Sequence, residues 1–160
     1  MEKITSFEIN HLKLLPGLYV SRKDYLDDKY VLTTFDLRIT RPNFEQVIET
    51  GAVHTYEHLG ATYLRNSEVK DKIIYFGPMG CRTGFYLIMV GDYESSDILE
   101  LIINMNVFIM DYTEAIPGAS SIECGNYLDQ DLAGAKFLAK KYLNETLYDI
   151  TPERLIYPNI

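Results

Sequence analysis

The chain has 160 residues, 47% of them apolar, with 15 Lys and Arg against 23 Asp and Glu and a formal net charge of -8. That length and apolar content suit a single catalytic-sized domain over residues 1–160 that can bury a core without disulfide staples, and they exclude a mainly disordered chain. The acidic balance, with a pI near 4.8, opposes association with phosphate backbones, so no nucleic-acid partner is expected.

The N-terminal stretch "MEKITSFEINHLK" has no apolar signal region, and the longest apolar run, "FYLIMV" (Phe85–Val90), is too short to span a bilayer. A cytoplasmic protein with no membrane partner is expected. "YVLTTFDLRIT" (Tyr30–Thr40) alternates, with Val31, Thr33, Phe35, Leu37 and Ile39 on one side and Thr34, Asp36, Arg38 and Thr40 on the other. This period of two predicts a half-buried strand with a polar second face. "RPN" (Arg41–Asn43) ends it, because Pro cannot donate a ladder hydrogen bond and Asn favours turns. A helix is expected over about Glu49–Asn66, although Gly51 and Gly60 each weaken it by roughly 1 kcal/mol relative to Ala.

"KIIYF" (Lys72–Phe76) reads as a short strand, "GPMG" as a sharp turn and "RTGFYLIMVG" (Arg82–Gly91) as another strand, so Cys81 sits where a turn hands over to a strand. "SSDILELIINMNVFIMDY" (Ser95–Tyr112) predicts a core-packing helix with Ser95 as N-cap and Ile98, Leu101, Ile102, Met105 and Ile109 at helical spacing. "TEAIPGASSIECGNY" (Thr113–Tyr127) has loop composition and carries Cys124. "DLAGAKFLAKKYLNETL" (Asp131–Leu147) predicts a last amphipathic helix, followed by an irregular tail. Strands alternating with helices, without a glycine-rich phosphate loop, point to an α+β fold with an antiparallel sheet packed against helices.

The chemistry concentrates in "HTYEH". The chain has only three histidines, and His54 and His58 stand about one helical turn apart, so both imidazoles lie on one face and can grip a single ion. H-x-x-E-H is the inverted zincin pattern, in which the glutamate acts as general base. Glu57 precedes His58 and cannot share its direction, so it can stand beside a metal without binding it.

A catalytic metal site usually takes three protein ligands and leaves a position for water or substrate. The candidates for the third are Cys124, Glu123, His11 and Cys81. Cys124 comes first, because the glycine-bearing loop "ECGNY" lets a thiolate reach inward and a metal would hold it deprotonated. Cys81, in "GPMGCRTG" with Arg82 beside it, reads as an exposed thiol that a guanidinium could activate for proton transfer or nucleophilic attack. The plainer alternatives are two inert buried thiols and a polar helix face at the surface.

In order along the chain, "SFEINH", "FDLR", "HTYEHLGATYLRN", "GPMGCRTGFYL" and "ECGNY" resemble the S-ribosylhomocysteine lyase (LuxS) family, from Ser6 to about Lys140. The resemblance implies a homodimer with active sites at its interface and, in each subunit, a four-stranded antiparallel sheet flanked by helices, an inverzincin-like metallohydrolase fold. It implies one divalent metal per subunit, Fe2+, on His54, His58 and Cys124, although Zn2+ and Co2+ satisfy the same ligand types. Glu57 and Cys81 would form the acid/base pair. Ser6, His11 and Arg38 would contact substrate from the partner subunit.

The implied substrate, S-ribosylhomocysteine, carries its thioether at C5, remote from the C1 aldehyde of the open sugar. The carbonyl must migrate to C3 before the C4 proton becomes acidic and homocysteine can leave by β-elimination. The other product would be 4,5-dihydroxy-2,3-pentanedione, the autoinducer-2 precursor of quorum sensing. A Lewis acid and two proton carriers meet that need. Tyr75, Phe76 and Gly77 stand where the family pattern often has an acid and a small aliphatic, and Gly60 where a larger apolar residue is common. Two competing expectations are a metallopeptidase with Glu123 as third ligand and Glu57 activating water, and a closed structural metal module in which Cys81 takes no part.

Overall fold

The strand expected around Tyr30 pairs on both of its edges, and that pairing organises the computed structural model, which describes residues 8–158. Four strands, β1 (Gly17–Leu26), β2 (Tyr30–Arg38), β3 (Ile73–Pro78) and β4 (Gly84–Val90), form one antiparallel sheet in the order β1-β2-β4-β3. The sequence pattern does not announce β1. A bulge between Val20 and Arg22 breaks its alternation, and its charges, Arg22, Lys23 and Asp24, are those of an edge strand.

Three helices complete the α+β fold: α1 (Thr50–Asn66), α2 (Leu99–Asp111) and α3 (Leu132–Tyr142), the last running on into a π turn over Leu143–Leu147. Asp131 caps α3, its Oδ1 accepting from Gly134 N at 2.9 Å. A 3-10 turn over Ser95–Ile98 leads into α2, and it is capped by Glu94 in a reciprocal box with Asp97 rather than by Ser95. Ser95 is buried instead, donating its hydroxyl to Leu155 O at 3.1 Å. None of the helices is long and apolar enough to cross a membrane among the described residues.

The core lies between the helices and one face of the sheet. Phe35, Leu37, Phe85, Leu87 and Met89 meet Tyr56, Leu59 and Leu64 of α1, Ile102, Met105 and Ile109 of α2, and Leu138 and Tyr142 of α3. Tyr56 stacks on Phe85 with centroids 4.5 Å apart and donates to Asn106 Oδ1 at 2.6 Å, so its hydroxyl is satisfied within the core. This contact anchors the middle of α1, between the two histidines.

The polar face expected on β2 is not solvated. Asp36 is fully buried and Arg38 is 3% exposed. The two form an ion pair, Nη2 to Oδ2 at 2.6 Å and Nε to Oδ1 at 3.1 Å. The cover comes from the tail: Tyr157 stacks on Tyr19 with centroids 4.8 Å apart and donates to Asp36 Oδ2 at 2.7 Å. Burial, then the Asp36 charge, pushes the Tyr157 phenol up, so it stays a donor. Arg154 fastens the tail by donating to Pro16 O at 3.0 Å.

Gly60 and Phe76, two departures from the family pattern, fit each other. A Cβ on Gly60 would stand 2.5 Å from Phe76 Cε1, and the Phe76 ring is itself held in a stack with Phe85 at 5.4 Å. The bulk over α1 comes from β3 rather than from the helix. Gly60→Ala should therefore lower stability by about 1–3 kcal/mol through overpacking, although alanine favours the helix by about 1 kcal/mol. Urea denaturation checks this: adding Phe76→Leu should restore part of the loss, and a neutral Gly60→Ala would mean the ring yields freely.

Candidate metal centre

α1 carries His54 and His58 on one half-buried face, with ring centroids 4.6 Å apart and planes at 80°. Each Nδ1 is committed to a backbone carbonyl of the segment between α2 and α3. His54 Nδ1 donates to Asp129 O at 2.9 Å and His58 Nδ1 to Pro117 O at 2.7 Å. A carbonyl only accepts, so each Nδ1 carries the proton and each Nε2 keeps its lone pair.

Cys124 completes the group. Its Sγ lies 3.3 Å from His54 Nε2, and the ligand atoms of His54, His58 and Cys124 all lie within 4.8 Å of one another. Nitrogen at about 2.05 Å and sulfur at about 2.3 Å from one tetrahedral ion would stand about 3.5 Å apart, so the donor set and its spacing fit a divalent transition metal with one position left open. Two backbone features place these atoms. Gly118 has φ +70°, a left-handed conformation that glycine adopts freely, and it follows the Pro117 carbonyl that holds His58. Cys124 N donates to Ser120 O at 2.9 Å, and Asn126 N lies 3.4 Å from Cys124 Sγ as a donor to the sulfur.

Of the four candidates for the third ligand, only Cys124 joins the cluster. Glu123 is exposed and turns away to accept from Ser120 Oγ at 2.6 Å, so the metallopeptidase reading loses its ligand. His11 bonds through Nδ1 to Ile9 O at 2.9 Å. Ser6 lies outside the described residues. Glu57, half-buried beside His58, makes no side-chain hydrogen bond among the described residues.

Cys81 belongs to a second group, at the β3–β4 turn. The guanidinium at this thiol is not that of Arg82, which has φ +54° and aims its Nη1 at Ile48 O, 3.4 Å away. It is that of Arg38, whose Nη1 donates to Thr83 Oγ1 at 2.6 Å and lies 3.8 Å from Cys81 Sγ. The thiol is 3.1 Å from Thr83 Oγ1 and exposed. Asp36 grips the opposite edge of the Arg38 fork, so the guanidinium cannot swing and offers only one nitrogen to the thiol. Sequence reading missed Asp36, Thr83 and Tyr157. The position of Asp36 two residues before Arg38, on the same strand face, is the one signal that could have found it.

A sequence model of the family described as S-Ribosylhomocysteinase (LuxS) matches residues 4–153. Proteins named S-ribosylhomocysteine lyase are similar over their full lengths. That of Finegoldia magna is 61% identical over 158 residues, covering 99% of this chain and 99% of the relative. That of Clostridium beijerinckii is 58% identical over 160 residues, covering 99% and 100%. That of Borreliella burgdorferi is 55% identical over 159 residues, again covering 99% and 100%.

Two outcomes follow from the geometry. Cys124→Ser should lose Co2+ or Zn2+ on gel filtration while Glu123→Gln retains one ion per chain, as read by elemental analysis. Arg38→Met should cost about 3–5 kcal/mol in a denaturant melt, because it strands the buried Asp36 charge; a cost under about 1 kcal/mol would mean that water reaches that carboxylate.

Proposed function

The chain belongs to the S-ribosylhomocysteinase (LuxS) family, and we propose that it is the metal-dependent lyase that cleaves S-ribosylhomocysteine to homocysteine and 4,5-dihydroxy-2,3-pentanedione. The observation that carries this reading is the convergence of His54, His58 and Cys124, whose ligand atoms lie within 4.8 Å of one another, with each imidazole Nδ1 committed to a backbone carbonyl. A divalent ion held there supplies Lewis acidity toward the oxygens of the sugar. Fe2+ is the proposed native ion, and the two nitrogens and one sulfur also suit Zn2+ or Co2+.

The remaining chemistry is proton transfer between neighbouring carbons. Each carbonyl shift removes a proton from one carbon and returns one to the next, and the last removal, at C4, breaks the C5–S bond and releases homocysteine as a thiolate that takes up a proton. Glu57 and Cys81 are the proposed carriers. Glu57 stands beside His58 with its carboxylate uncommitted among the described residues, and Cys81 is held by Thr83 and Arg38 with its sulfur open to solvent.

Ser6, His11 and Arg38 are the proposed substrate contacts, supplied by the partner subunit of a homodimer. Support comes from the ligand loop, where Ile122 is 96% and Leu128 78% exposed on either side of Cys124, an apolar surface suited to burial against a second copy. Since Arg38 and Cys81 touch within one chain, both would enter a given site from the same subunit. The whole of residues 1–160 would act as one catalytic domain. Two unpaired cysteines suit a reducing cytoplasm.

Thiol release from S-ribosylhomocysteine, followed anaerobically with Fe2+ or Co2+ bound, tests the reading. Cys81→Ala should slow release by about 10²-fold or more, the typical contribution of a positioned acid/base, while metal content stays at the wild-type level. A folded, metal-loaded wild type that releases no thiol would overturn the proposal.

A further inference from the structure

The segment that brings a carbonyl to His54 and then enters α3 is fastened to α1 from inside. Thr55, the residue after His54, is fully buried. Its hydroxyl does two things: it accepts from Asp131 N at 2.8 Å and donates to Gln130 Oε1 at 2.7 Å. Asp129, one residue earlier, takes the His54 Nδ1 proton at 2.9 Å. Two consecutive residues of α1 are thus laced to three consecutive residues of the loop.

We infer that Thr55 is a positioning residue for the metal centre, acting through the 129–131 segment on the orientation of the His54 ring. This rests on the reading of His54, His58 and Cys124 as a metal site. Three observations beyond proximity support it.

The lacing is buried, whereas the parallel contact from Thr50 Oγ1 to Asp129 Oδ1, 3.2 Å, is exposed and open to exchange with water. Gln130 depends on Thr55 alone: its Nε2 is buried with no partner among the described residues, so the Thr55 hydroxyl satisfies the only part of that amide that is satisfied. Asp131 cannot shift to compensate, since its carboxylate caps α3 through Gly134 N and, among the described residues, its amide otherwise has only Gly51 O, at 3.2 Å.

The residue type fits the task. A hydroxyl can donate and accept at once, and a β-branched side chain has few χ1 choices on a helix, so Thr presents that hydroxyl in a fixed direction. Valine has the same shape and can do neither. Without the hydroxyl, the Gln130 amide is left wholly unpaired in a buried place, and relieving it requires the segment to lift toward water. Lifting takes the Asp129 carbonyl off His54 Nδ1 and releases both the tautomer and the tilt of the ring. Loss of such a partner behind a ligating imidazole typically weakens metal affinity by about 10–100-fold.

The test is Co2+ affinity, measured by competition with a chromophoric chelator on the full chain stripped of metal, together with the absorption of the bound Co2+. Thr55→Val should bind Co2+ about 10–100-fold more weakly than wild type, with altered d–d bands, and Thr55→Ser should recover most of the affinity and the spectrum. Gln130→Met, which removes the dependent amide but leaves the hydroxyl bound to Asp131, should fall between the two; it serves also if Thr55→Val does not fold. Wild-type affinity and spectrum in Thr55→Val, in Gln130→Met when that is the folded variant, or a serine variant as weak as valine, would overturn the role. A wild type that binds no Co2+ would overturn the metal centre itself. Turnover is not read, so failure of the lyase reading would show separately, as a normal Co2+ series with no thiol release.

Discussion

Two backbone carbonyls decide what this protein can hold. Pro117 O and Asp129 O each take the Nδ1 proton of a histidine on α1, and an imidazole so engaged has one nitrogen left, its lone pair free and its direction set. The loop that supplies the carbonyls also supplies Cys124. One irregular segment laid along one helix face thus provides the third donor and the orientation of the other two. That arrangement asks three things of α1: a face for the two imidazoles, a face in the core, and a fastening for the loop. His54 and His58, Tyr56 and Leu59, and Thr55 meet these needs within six consecutive residues, because successive helical side chains point about 100° apart.

The group around Cys81 is built on the opposite principle, a charge pair taken out of water. Asp36 and Arg38 are both buried, so each would be costly alone, and the cost is offset because every strong direction of the pair is used: two bonds within it, one from Tyr157 and one to Thr83. What this achieves is geometric. A guanidinium clamped along one edge can present only its remaining nitrogen, and that nitrogen faces Thr83 and Cys81. The tail belongs to this device, although it lies far from Cys81 in sequence, because Tyr157 closes the carboxylate that closes the fork.

The sheet explains why the two groups can coexist in so small a fold. Its core face receives α1 and the aromatic stack of Tyr56, Phe76 and Phe85, which sets the height of the helix that carries His54 and His58. Gly60 lets that helix sit close, with the Phe76 ring filling the space a side chain would take. The other face carries the Asp36–Arg38 pair under the tail.

Much of this was legible in the chain. The one-turn spacing of His54 and His58, the loop character of the segment around Cys124, the turn that exposes Cys81 and the helical periods are local properties, and they survive in the structure to within a few residues at element ends. The ordered motifs also named the family, and the three residues that the resemblance implies as ligands lie together in the fold. Spacing alone could not choose among Cys124, Glu123, His11 and Cys81, and it pointed to Arg82 rather than Arg38 as the guanidinium beside Cys81. Nor did it reveal β1, whose bulge breaks the alternation, or the burial of Asp36. Apart from β1, the physical reason is the same in each case. Periodicity states which side of its own element a residue occupies, but what lies against that side is set by contacts between residues 43 to 121 positions apart, such as Arg38 with Cys81, His54 with Asp129 and Asp36 with Tyr157, and only the folded chain brings those together.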